Sequence, residues 1–203
     1  MSGDPTEQTN RRRSSSIRTF ICIEVPKSIK ERIGTLQQTA GRHEAKISWV
    51  KASNIHLTLK FLGDVTAARI PAVGSAVERA ARLSRPFEIE VGGAGCFPSA
   101  NRPRVFWVGL TAVPDGLARL HALIEQELAL VGFPRDARKF SPHLTIGRVR
   151  SPKNAARVAE DLVATGFERE TFQTTEVIVM RSDLNPSGSI YTPLSTYRLG
   201  GHD

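Results

Sequence analysis

Asn54-Ile55-His56-Leu57-Thr58-Leu59 and Pro142-His143-Leu144-Thr145-Ile146 are one short phrase written twice. The histidines stand 87 residues apart (143 − 56 = 87). Side chains alternate between the two faces of a strand, so His56 and Thr58 share one face while Leu57 and Leu59 share the other. In the second copy His143 and Thr145 share a face, opposite Leu144 and Ile146. The aliphatic face suits a core, and the His/Thr face must line solvent or a cleft. Each copy is followed by a helix pattern. The repeat therefore predicts a pseudo-symmetric molecule of two similar lobes, each lending one copy.

The elements around the phrases alternate between strand and helix. Phe20 to Ile23 with Val25 reads as a buried strand ended by Pro26. Ile29, Ile33 and Leu36 then mark an amphipathic helix over 27–39. A short strand starts at Ile47, and a third covers 55–62, closed by Gly63-Asp64. A helix is expected over about 66–83 and an alternating strand at Phe87, Ile89 and Val91. Gly92-Gly93 and Gly95 read as a loop. Then come a strand from Val105 to Leu110, a helix over 115–131, a strand over about 143–149, a helix over about 153–164 and a strand over 176–181. Asn185-Pro186-Ser187-Gly188 reads as a turn joining two strands. The class is α/β or α+β.

The chain has 203 residues, enough for one two-lobed domain over 17–203 with its own core. Residues 1–16 lack periodicity and read as a disordered basic tail, in which Arg11-Arg12-Arg13 precedes three serines. No apolar run approaches a membrane span, and the N-terminus lacks the apolar stretch of a signal peptide. A monomeric cytoplasmic protein is the default expectation. Cys22 and Cys96 are far apart, and Cys22 falls in an apolar run, as a buried free thiol would. A net charge of +8 favours polyanions, with RNA, DNA and anionic lipids all eligible.

Two imidazoles facing one cleft can work on a phosphodiester. One takes a proton from the attacking water while the other gives one to the leaving oxygen. Histidine suits both roles because its ordinary pKa, near 6.5, lies close to working pH. The Thr58 and Thr145 hydroxyls can hydrogen-bond phosphate oxygens. His43 sits in a polar loop, His121 on a helix beside Leu120 and His202 at the end of the chain, positions that suit structural or solvated side chains. No spacing suits a zinc site, so no metal and no cofactor is expected. Walker and G-x-S-x-G motifs are also absent. Phe61, Phe97 and Trp107 could each stack on one base, although a core role suits them better.

The paired motifs resemble those of the 2H phosphoesterases. Within that superfamily they are similar to the bacterial and archaeal RNA 2′,3′-cyclic phosphodiesterases, first described as 2′-5′ RNA ligases. The likeness is carried by His56-Leu57-Thr58-Leu59-Lys60-Phe61-Leu62-Gly63 and by Ser141-Pro142-His143-Leu144-Thr145-Ile146-Gly147-Arg148. It is supported by Phe97-Pro98, by Arg104-Val105-Phe106-Trp107-Val108-Gly109, and by Pro186-Ser187-Gly188 before Tyr191. The resemblance implies a two-lobed fold whose antiparallel sheets line a V-shaped cleft, with helices outside. It implies metal-independent opening of a 2′,3′-cyclic phosphate at an RNA end to a 2′-phosphate, with Arg148 on the phosphate.

Simple alternation puts Arg148, five residues after His143, on the far face. A bulge at Gly147 or the reach of the side chain would reconcile the two. Lys60 has cleft parity, and either adds charge near the phosphate or lines the cleft mouth. Other activities fit the same motifs: another cyclic phosphate, a 2′-5′ linked oligonucleotide, or ligation. A non-catalytic nucleotide-binding module is the reading from another class.

Overall fold

A computed structural model describes residues 16–185 and 188–200. The expected basic tail, His202 and two residues of the expected turn, Pro186 and Ser187, lie outside the described residues, apart from Ser16. That residue already begins the first strand. The strands are β1 (Ser16–Glu24), β2 (Ile47–Trp49), β3 (His56–Thr66), β4 (Phe87–Phe97), β5 (Val105–Leu110), β6 (Leu144–Val149), β7 (Glu170–Thr174), β8 (Glu176–Asn185) and β9 (Gly188–Arg198). The helices are α1 (Lys27–Ala40), α2 (Ile70–Arg82), α3 (Asp115–Leu130) and α4 (Ala155–Thr165).

The apolar spacings read from the sequence are the ones that face the core. Ile29, Ile33 and Leu36 of α1 are buried, as are Val73, Val77, Ala80 and Ala81 of α2 and Leu117, Leu120, Ile124 and Leu128 of α3. The helices pack in pairs, α1 with α4 and α2 with α3. Their apolar faces share one continuous core with Leu57, Leu59, Leu144 and Ile146. No described helix is long and apolar enough to cross a membrane.

The sheet runs β7-β4-β5-β6-β3-β1-β8-β9, with β2 also paired to β6, and its pairings are antiparallel. Its middle is narrow. β3 and β6 meet through a single register pair, Leu57 with Leu144. These are equivalent residues of the two phrases, so the pseudo-twofold axis passes between them. Strand order follows the same symmetry outward: β5 answers β1, and β4 answers β8. β4, the last strand of the first half, lies against β5, the first strand of the second. β8 returns the exchange against β1. The two lobes are thus interlocked and cannot be cut apart in sequence.

Three details depart from the sequence reading. β3 does not stop at Gly63-Asp64 but runs on to Thr66; Gly63 takes a positive φ of 69° beside a register shift, and a bulge lets pairing resume. Gly92-Gly93 and Gly95 lie inside β4, not in a loop, with Gly93 bulged at φ 66°. β7 carries only Phe172 and Thr174 on its buried side, too little alternation to stand out in sequence.

Candidate active site

His56 opens β3 and His143 immediately precedes β6, so the single Leu57–Leu144 pair brings the two histidines to neighbouring positions. Both line one cavity of about 310 Å³ with Thr58, Thr145, Arg148, Phe61, Phe97 and Tyr191. All five candidate residues read from the sequence are therefore gathered in one place.

The two imidazoles are held alike. His56 Nδ1 lies 2.8 Å from the carbonyl of Asn54, and His143 Nδ1 lies 2.8 Å from that of Ser141. A carbonyl only accepts, so each Nδ1 carries the hydrogen and each Nε2 keeps its lone pair when neutral. Each ring also meets an aromatic edge-on: Tyr191 at 5.2 Å for His56 and Phe97 at 5.1 Å for His143. Asn54 is itself tied down, donating through Nδ2 to the Ser189 carbonyl at 2.7 Å.

One difference is large. Phe20 of β1 stacks on His56 at 4.7 Å. Phe20 belongs to a small apolar cluster on this side of the sheet with Cys22, Ile178 and Met180. Burial against it lowers the His56 pKa to about 4, the Asn54 hydrogen bond opposing and the Lys30 charge adding to the fall. His56 is therefore neutral at pH 7 in the free protein. The same burial pushes the Cys22 thiol far up, which makes it an inert core residue, free as expected.

The parity conflict at Arg148 resolves through paired bulges. In β3, Cys22 pairs with Thr58 and Ile21 with Lys60, so Leu59 is the extra residue. In β6, Trp107 pairs with Thr145 and Phe106 with Gly147, so Ile146 is the extra residue. The bulge falls at Ile146, one residue earlier than Gly147. Both bulges stand three residues after the histidine, and each reverses alternation. Arg148, five residues on, is thereby returned to the cleft. Gln37 of α1 secures the second bulge, its Nε2 donating to the Ile146 and Val50 carbonyls at 2.8 Å each.

The first bulge has the opposite effect on Lys60. It turns Lys60 into the helical side, where the residue is buried and donates to Glu125 at 2.6 Å and Asp136 at 3.2 Å. Glu125 also accepts from the Asp136 backbone N–H at 2.9 Å, so the network ties β3 and α3 to the loop leading to His143. Phe61 takes the cleft position that parity assigned to Lys60 and is 58% exposed there. Neither placement is visible from alternation alone; the signal is the bulge, which the sequence does not mark. His121 stacks on Phe140 at 3.8 Å and His43 meets Asp161 at 2.6 Å, both structural contacts.

Among the described residues, no group bonds the Thr58 and Thr145 hydroxyls or the Arg148 guanidinium. The described residues hold no cluster of three or more His, Cys, Asp or Glu side chains able to grip a metal ion.

A pseudo-symmetric sheet with one His-x-Thr phrase in each half defines the chain as a 2H phosphoesterase. It belongs to the LigT like phosphoesterase family, whose model matches it twice in tandem, over residues 23–107 and 108–191. The two matches divide the chain at the repeat and give one histidine to each. A Methanothermobacter thermautotrophicus protein named RNA 2′,3′-cyclic phosphodiesterase is 33% identical, the alignment covering 90% of this chain and 99% of that one. Among solved structures, a Thermus thermophilus protein superposes with a TM-score of 0.78 at 27% identity, covering 92% of this chain and all (100%) of the other. Escherichia coli LigT complexed with 3′-AMP gives 0.72 at 28% identity, over 91% of this chain and 98% of that one.

Proposed function

We propose that the chain opens 2′,3′-cyclic phosphate ends of RNA by hydrolysis, with His56 and His143 as acid and base. The observation that carries this reading is the cavity in which two Nε2 atoms of fixed tautomer meet two free hydroxyls and a free guanidinium. The names of its relatives supply the substrate class. One imidazole accepts a proton from water as the oxygen attacks phosphorus. The P–O3′ bond breaks, and the second imidazole protonates the departing 3′ oxygen, leaving a 2′-phosphate. Thr58, Thr145 and Arg148 bind the non-bridging oxygens, whose charge grows in the transition state. No step requires a metal ion.

Conversion of a 2′,3′-cyclic nucleotide to the nucleoside 2′-phosphate in the presence of EDTA tests the reading, and no turnover of any cyclic end would refute it. The acid and base roles turn on one further measurement. The donor must carry a proton in the substrate complex and His56 is neutral in the free protein, so binding of a 2′,3′-cyclic nucleotide to the inactive His143→Gln variant at neutral pH takes up a proton if His56 is the donor. Titration calorimetry in buffers of different ionisation enthalpy reads that uptake directly, and no uptake makes His56 the acceptor.

A further inference from the structure

We infer that a groove beside the catalytic cavity, lined by Arg102, Arg104 and Arg150, binds the phosphodiesters upstream of the reacting end, so that the preferred substrate is an RNA strand and not a mononucleotide. The inference rests on the hydrolytic reading above and extends it to the body of the substrate.

The groove has a volume of about 540 Å³ and begins where the β5–β6 ladder leaves the cleft. Val105 and Arg148 pair within the cleft, and the next rung joins the Val149 N–H to the Arg104 carbonyl at 3.0 Å. Val149 and Arg104 both line the groove, so the two cavities are one rung apart. Arg150 lies two residues beyond Arg148, about 7 Å along an extended chain. That distance suits the step from one phosphate to the next in a single strand. The Arg150 N–H bonds the Lys46 carbonyl at 2.8 Å, which fixes the backbone beneath its side chain.

The groove gathers three arginines with no Asp or Glu in its lining, and none of the three makes an ion pair or side-chain hydrogen bond among the described residues. Some arginines elsewhere do find carboxylates: Arg32 bridges Glu168 and Glu170, Arg79 meets Glu127, and Arg181 meets Asp183, while others such as Arg42, Arg119 and Arg157 make no ion pair among the described residues either. Three exposed guanidiniums converging without an acid suit phosphate oxygens, which they can fork. On this inference the 5′ phosphate of a terminal cyclic nucleotide leaves the cleft towards the groove, which offers it a cationic continuation one rung away.

The test replaces Arg102, Arg104 and Arg150 together by Gln and follows two substrates, a 2′,3′-cyclic mononucleotide and a ten-nucleotide RNA with the same end. The oligonucleotide KM should rise about tenfold or more, with kcat kept, while the mononucleotide kcat/KM stays within about twofold. The log–log salt dependence of oligonucleotide binding should fall by about 2, at ~0.7 per lost single-strand phosphate contact. Equal loss on both substrates, or no loss on either, overturns the groove. Fluorescence anisotropy of the same RNA ending in a 2′-phosphate reads the groove without turnover. Unchanged affinity in the triple variant overturns the inference, whereas a wild-type protein that binds the strand through these arginines yet opens no cyclic end overturns only the hydrolytic reading.

Discussion

The two halves of the cleft share a backbone and differ in what they hang on it. Each presents a histidine with Nδ1 tied to the carbonyl two residues back, an aromatic edge against the ring, a threonine two residues on and a bulge one residue further. They part after the bulge. The first half carries Lys60 and Phe61 where the second carries Gly147 and Arg148. They part again on the neighbouring strand, where Phe20 stacks on His56 and the corresponding residue against β6 is Val105. Duplication supplies a matched pair of histidines, and divergence at the equivalent positions 61 and 148 gives one side an apolar ring and the other a cation.

Loss of the matched part has the largest expected effect. His56→Ala and His143→Ala should each lower kcat by about a hundredfold or more in a protein that keeps its circular-dichroism spectrum. If either folded variant keeps wild-type turnover, the equivalence of the two halves is broken.

The unmatched positions separate next. Arg148→Ala should lower kcat/KM by roughly ten- to a hundredfold, the range of a hydrogen bond to a charged group at ~1.5–3 kcal/mol. Arg148→Lys should recover only part, because an ammonium keeps the charge and loses the fork. Phe61→Ala should weaken nucleotides by roughly tenfold, the scale of base stacking, and leave inhibition by inorganic phosphate unchanged. Arg148→Ala should weaken both. Parallel losses in the two variants would show that positions 61 and 148 do not divide the substrate between them.

A smaller effect tests the difference between the histidines themselves. The folded pKa of His56, about 4, lies below its ordinary value of 6.5. Between those values the unfolded chain binds a proton that the folded chain refuses. Stability is therefore lost as pH falls from about 6.5 to about 4 and changes little from this source above 6.5. His56→Gln should shrink the fall in Tm across that window without abolishing it, because burial lowers the His121 pKa as well. An unchanged acid slope would place His56 in water. The smallest effect concerns metal: EDTA should leave turnover unchanged, and activity restored by an added divalent ion would reveal ligands outside the two phrases.

The sequence by itself determined the repeat, the His/Thr face and the helices. Each is a local pattern, written in residues three, four or two apart, and the two phrases show their likeness without any knowledge of contacts. It also determined that Leu57, Leu59, Leu144 and Ile146 belong to the core. Tertiary structure decided what lies beyond each bulge. A bulge depends on how a strand's neighbours pair, on Ile21 with Lys60 and Phe106 with Gly147, and on Gln37 reaching from α1 to the Ile146 carbonyl. Period-two alternation cannot register that extra residue, so parity sent Arg148 to the wrong face and Lys60 into the cleft. The neutral state of His56 was decided the same way, because the ring that buries it comes from β1, 36 residues earlier in the chain (56 − 20 = 36).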